Sequence, residues 1–139
     1  MSKSNKLTIG LFGFGVVGEG IYQVLQQTPS LNATVKKVCI KHQDKKRDID
    51  PSLLTTNYTD ILNDPEINVV VALINDAAEA YTIVTTALRK KKSVVSADKK
   101  MIAEHLSELL QLQKLYDVPL LYDSRLRQHP YDPQPRRIL

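Results

Sequence analysis

The stretch Gly13-Phe14-Gly15-Val16-Val17-Gly18 decides how this chain is read. It follows the short apolar run Leu7 to Phe12, which predicts a strand. It precedes a segment of helical periodicity that ends near Gln27, before the break at Thr28-Pro29-Ser30. Three glycines in this spacing, between a strand and a helix, have a definite physical use. Gly13 permits a tight turn, Gly15 lets the backbone approach a ligand closely, and Gly18 lets the helix pack on the strand. The helix N-terminus then offers free N–H groups and a partial positive charge, which suit a pyrophosphate. The pattern predicts a dinucleotide cradle made by Gly13, Phe14, Gly15, Val16, Val17 and Gly18. A tight turn with no ligand is the plainer alternative. Gly10 and Gly20 are read as packing positions.

Beyond the first turn, strands and helices alternate. Val35 to Ile40 reads as a second strand, followed by a polar loop from Lys41 to Asp50. Thr59 is placed to cap a short helix over Asp60 to Asn63, which Pro65 ends. Val69 to Ile74 is a continuous apolar run, as in a strand buried on both faces. Asp76 starts a helix that runs to about Arg89, with Glu79 completing a capping-box pattern and Ile83, Val84, Ala87 and Leu88 facing inward. Val94-Val95 marks a short strand. Asp98 caps a last helix whose inner side carries Ile102, Leu106, Leu109 and Leu110, and Val118 to Tyr122 is a final strand. The expected fold is α/β: a single Rossmann-type domain with a doubly wound parallel sheet.

Composition narrows the function classes. A chain of 139 residues, 42% hydrophobic and 24% charged, fits one soluble globular domain. Neither a signal peptide nor an apolar run of membrane-spanning length is read, and the single Cys39 in an apolar stretch fits a reducing cytoplasm. Of the net charge of +4, +3 belongs to the tail, where Arg125, Arg127, Arg136 and Arg137 face only Asp132. Without those last residues the body is near neutral, which argues against a nucleic-acid partner. The runs Lys45-Lys46-Arg47 and Arg89 to Lys92 read as solvated surface. His42, His105 and His129 are scattered, so no metal site is expected.

A dinucleotide fingerprint usually continues with an acid at the end of the second strand, holding the ribose 2′-hydroxyl. That place is taken here by Lys41. A cation there suits a 2′-phosphate, so NADP is favoured, with NAD left open. A Lys41 pointing into solvent is the alternative.

The chain resembles the homoserine dehydrogenase family. The resemblance rests on Ile9 to Gly20, on the buried strand Val69 to Ile74, and on Val94-Val95-Ser96-Ala97-Asp98-Lys99-Lys100-Met101-Ile102-Ala103-Glu104-His105, where the family carries V-V-T-A-N-K. Val118 to Asp123 is similar to the family's strand leading to Y-E-A. The resemblance implies NAD(P)-dependent hydride transfer between aspartate 4-semialdehyde and homoserine. It places Ser96, Ala97, Asp98 and Lys99 beside the nicotinamide, with Asn75 among the cofactor contacts and Lys99 as the catalytic residue. An exposed lysine in a helix's first turn is the alternative for Lys99. Asp98 replaces the family's Asn, Ala72 stands where Glu is frequent, and Lys91 where Gly is frequent.

The resemblance covers roughly Leu7 to Ser124, giving a cofactor-binding domain over 1–124 and an unrelated, disordered tail over 125–139. One choice of codons for Leu126 to Arg136, shifted by one base, translates as C-G-S-I-P-M-I-R-N-L, similar to the family's next segment, so the tail is expected to be a frameshifted reading. A family substrate domain is expected to be missing, which leaves the isolated chain inactive and an apolar face open to self-association. The competing function is a stand-alone nucleotide-binding or sensing module without catalysis.

Overall fold

A computed structural model describes residues 6–41 and 49–122. Along the chain come β1 (Leu7–Phe12), α1 (Val16–Gln27), β2 (Ala33–Cys39), β3 (Leu54–Thr55), α2 (Thr59–Leu62), β4 (Val69–Ala72), α3 (Ala77–Arg89), β5 (Ser93–Ser96), α4 (Lys99–Tyr116) and β6 (Leu120–Leu121). The six strands form one sheet in the order β3-β2-β1-β4-β5-β6, and every neighbouring pair is parallel. This is the doubly wound arrangement expected of the alternating pattern, with the strand order reversing beside β1. The tail beyond Ser124, its shifted-frame reading and most of the loop after Lys41 lie outside the described residues.

The two-residue period of the strands divides the core between the two faces of the sheet. On one face, Phe12, Val70 and Ala72 pack with Ile61, Ile83, Leu88, Met101 and Leu109. On the other, Ile9, Leu11, Val38 and Val71 meet Ile21, Tyr22 and Leu25 of α1. Both faces of β4 are therefore covered, which is why its sequence is an unbroken apolar run. Gly10 is a packing position, because an added Cβ would come within 2.4 Å of the buried Ile61 Cγ2. Gly20 is not one: it is exposed, and a Cβ there would meet nothing within 4 Å.

Several local expectations change. Helix α2 begins at Thr59 with Tyr58 at the N-cap position and no side-chain cap; Asn57 Oδ1, one residue earlier, accepts from the Thr59 amide at 3.0 Å and its hydroxyl at 2.7 Å. In α4 the backbone departs from helical geometry at His105 (φ −126°, ψ 20°). After that kink the buried stripe runs through Leu109 and Leu112, and Leu110 is left exposed. Lys92 is buried rather than solvated, its ammonium donating to the carbonyls of Asp64 at 2.7 Å and Ile67 at 2.6 Å. Burial pushes its pKa below the ordinary lysine value, against the opposing pull of the Asp64 carboxylate. No described helix is long and apolar enough to cross a membrane.

Helix α3 ends in a Schellman motif. The Lys92 amide donates to the Ala87 carbonyl and the Lys91 amide to the Leu88 carbonyl, both at 2.9 Å. Lys91 sits between them at φ +62°, a left-handed conformation that glycine takes without steric penalty. Lys91→Gly is therefore expected to raise stability by about 1 kcal/mol. Urea unfolding checks it: a higher midpoint at unchanged slope is expected, and a lower midpoint contradicts this reading of the helix end.

Candidate functional site

The glycine turn lies at the carboxyl end of β1, between β2 and β4, where the strand order reverses. Its backbone is tied to both neighbours: the Gly13 amide donates to the Cys39 carbonyl at 2.9 Å, and the Leu73 amide to the Phe12 carbonyl at 2.8 Å. Gly13 has φ +101°, and a Cβ there would stand 3.1 Å from the Leu73 carbonyl oxygen. A Cβ on Gly18 would lie 2.9 Å from the Gly13 carbonyl oxygen and 3.4 Å from Leu73 Cδ1. Gly15 differs from both, since a Cβ there would meet no atom of the described residues within 4 Å. Two of the glycines are demanded by the fold, and the third faces outward.

Helix α1 starts from Gly15 with no side-chain cap. By contrast, Asp76 caps α3 by accepting from the Glu79 amide at 3.1 Å, and Asp98 caps α4 by accepting from the Met101 amide at 2.9 Å. The first-turn amides of α1 are thus offered at the open side of the turn, where the helix dipole favours an anion. Val16 and Val17 contribute there through their backbone, because their side chains point to solvent at 89% and 62% exposure. Phe14 is partly buried, and its ring meets Tyr22 edge-on at 6.1 Å, so it braces the turn as well as lining it.

A cleft of about 520 Å³ opens over this edge, lined by Gly13, Phe14, Gly15, Lys41, Asn75 and Glu79 among others. An adjoining hollow shares Lys41, Tyr58 and Glu79 with it. Ser96, Ala97, Asp98 and Lys99 are not among the cleft's lining residues; Ser96 ends β5 and the other three follow it at the same end of the sheet. The Ala97 amide donates to the Ala72 carbonyl at 3.1 Å, which holds this second group against the end of β4. Ser96 is buried, and its hydroxyl finds no hydrogen-bond partner among the described residues. The buried Asp98 carboxylate is engaged as the α4 cap, while Lys99, the first residue of α4, is exposed.

At the far side of the cleft Lys41 is not a lone cation. Its ammonium stands 3.2 Å from Glu79 Oε1, with Lys41 61% and Glu79 13% exposed. The contact pairs the charges without hydrogen-bond geometry, and among the described residues the buried Oε1 accepts no hydrogen bond. Glu79 does not close the expected capping box either: Asp76 caps Glu79, but the Glu79 carboxylate turns to Lys41. The sequence reading missed Glu79, Tyr58 and Asp76 as cleft residues. An acid absent from the end of the second strand was the available signal for Glu79. Among the described residues no cluster of His, Cys, Asp and Glu could hold a metal ion.

Comparison with known proteins follows the same lines. The family described as homoserine dehydrogenase, NAD binding domain, matches residues 13–123. The homoserine dehydrogenase of Bacillus subtilis (strain 168) is 35% identical over 113 residues, covering 75% of this chain and 26% of that protein. That of Synechocystis sp. is 34% identical over 123 residues, covering 84% and 28%. The crystal structure of S. aureus homoserine dehydrogenase at pH 6.5 superposes with a TM-score of 0.78 at 28% identity, over 85% of this chain and 32% of that one. The chain thus spans about a quarter to a third of the length of these relatives.

Cys39 lies in the cleft floor, where burial pushes its thiol up to about 11, with the carboxylates of Glu79 and Asp60 adding to the shift. At pH 8 only about one thiol in a thousand is then the reactive thiolate. The folded chain is expected to resist alkylation by iodoacetamide at pH 8 and the urea-unfolded chain to react readily. Fast modification while folded contradicts the burial.

Proposed function

The chain belongs to the homoserine dehydrogenase family, and on that premise we propose that it holds the nicotinamide dinucleotide for hydride transfer between aspartate 4-semialdehyde and homoserine. The observation that carries this reading is the division of labour in the glycine turn. Gly13 and Gly18 are sterically required by the protein itself, whereas Gly15 is open toward the uncapped amides of α1. That arrangement fits a pyrophosphate lying across Gly15 and the first turn of α1.

The rest of the strand edge then divides by position. Lys41 and Asn75 flank the adenosine side of the cleft. Both NADP and NAD are compatible with it: the Lys41 ammonium suits a 2′-phosphate, and its pairing with Glu79 suits a ribose hydroxyl. Ser96, Ala97, Asp98 and Lys99 take the nicotinamide side. The buried, unpartnered Ser96 hydroxyl can donate or accept there. Bound at this edge, the nicotinamide supplies or accepts the hydride; the chain's own residues bind, orient and shield it. The exposed Lys99, first residue of α4, would as an ammonium stabilise charge on the substrate oxygen and donate the proton when the aldehyde is reduced, and as the neutral amine would take that proton back when the alcohol is oxidised. Asp98 acts through the α4 cap, fixing the direction of that first turn. The matched segment is only about a quarter of such a relative, and on this reading the substrate-positioning groups belong to the remainder, so these 139 residues alone are expected to bind cofactor without turnover.

Calorimetric titration of the purified chain with NADH and with NADPH tests this. Saturable binding of at least one is expected. Gly15→Asp, which places a carboxylate where the pyrophosphate approaches, is expected to weaken it by about a hundredfold or more without loss of fold, since a side chain there touches no protein atom. No binding of either dinucleotide by the native chain, or equal binding by Gly15→Asp, contradicts the reading.

A further inference from the structure

The dinucleotide fingerprint has a missing member. Its acid, normally at the end of the second strand, accepts a hydrogen bond from the ribose 2′-hydroxyl, and Lys41 holds that place here. We propose that Glu79 supplies this acid from another element, the first turn of α3, and so makes the cleft selective for a free ribose 2′-hydroxyl, as in NAD, over a 2′-phosphate. The inference rests on the dinucleotide reading of the glycine turn.

Three observations converge. Glu79 lines both the main cleft and the adjoining hollow, and Lys41 lines both with it. Its side chain is only 13% exposed, so its charge is focused into the cleft rather than screened by solvent. Among the described residues its buried Oε1 accepts no hydrogen bond and is met by the Lys41 ammonium at 3.2 Å.

The chemistry of the two ligands then separates them. A ribose 2′-hydroxyl carries a proton to donate to the Glu79 carboxylate and still leaves its own oxygen for the Lys41 ammonium. A 2′-phosphate is an acceptor with about two negative charges, so it repels Glu79 and competes with it for Lys41. Lys41 alone predicts a preference for NADP; its pairing at 3.2 Å with Glu79 leaves that pair with no net charge. Asp76 lines the same cleft and adds negative charge on the same side, although its Oδ1 is engaged by the Glu79 amide. Glu79 is a specificity-determining residue, not a catalytic one.

Titration of the full 139-residue chain with NAD and with NADP, native and as Glu79→Gln, tests the proposal. The native chain is expected to bind NAD the more tightly. Glu79→Gln is expected to move the ratio of the two affinities by about tenfold or more toward NADP, because it removes a charged acceptor and frees a cation together. In that background Lys41→Gln should cancel the gain for NADP. Should Glu79→Gln fail to fold, Lys41→Gln alone tests the same pair and is expected to widen the preference for NAD. A native chain that prefers NADP, or a folded variant whose ratio stays within about twofold of native, overturns the proposal. A native chain that binds neither dinucleotide overturns the reading of the glycine turn, and this inference with it.

Discussion

Gly18 lies against the carbonyl oxygen of Gly13 with no room for a methyl group between them, since a Cβ would stand 2.9 Å away. This contact sets the distance at which α1 leaves β1, and much of the molecule follows from it. With the helix so close, Ile21, Tyr22 and Leu25 reach the apolar face of β1 and β2. The turn must then be made by Gly13 at φ +101°, and its amide reaches the end of β2. The first-turn amides of α1 are left aimed over the edge of the sheet. A constraint of packing thereby leaves these amides open to an anion, and the proposed ligand site follows from how tightly helix and strand fit.

The carboxyl edge carries two unlike halves. One is a cleft over β1 and the turn, with charge supplied by Lys41 and Glu79. The other, after β5, is compact, with a buried hydroxyl, a capping carboxylate and one exposed ammonium. Parallel strands explain why residues distant in the chain meet here, because every strand delivers its following loop to the same edge. The separation of the halves suits a long, two-ended ligand, binding energy at one end and chemistry at the other.

Much of the fold was legible because it rests on local patterns. The helix over Ala77–Arg89 has its cap and its buried Ile83, Val84, Ala87 and Leu88 where periodicity puts them, and β1 and α1 begin and end as read. What escaped depends on contacts between distant segments. The edge strand β3, two residues long, exists only because β2 lies beside it. Lys92 looks like the end of a basic surface run, yet two carbonyls from the segment before β4 draw it inside. Thr59, expected as a cap, is instead the first residue of α2, because Asn57 Oδ1 holds both its amide and its hydroxyl. In the site, the glycines were legible since their spacing is itself the signal. Glu79 was not, for its role depends on Lys41 arriving from a different strand.

The central claim, that dinucleotide lies across Gly15 and the open amides of α1, is tested most directly by mapping where it binds. Backbone amide NMR of the isotopically labelled chain during titration with NADH makes that map. The largest shifts are expected at Gly13 to Gly18, with a second set at Lys41 and Asn75 to Glu79 and a third at Ser96 to Lys99. Shifts concentrated elsewhere, such as the hollow between α3 and α4 around Tyr81, Lys100 and His105, would contradict the account.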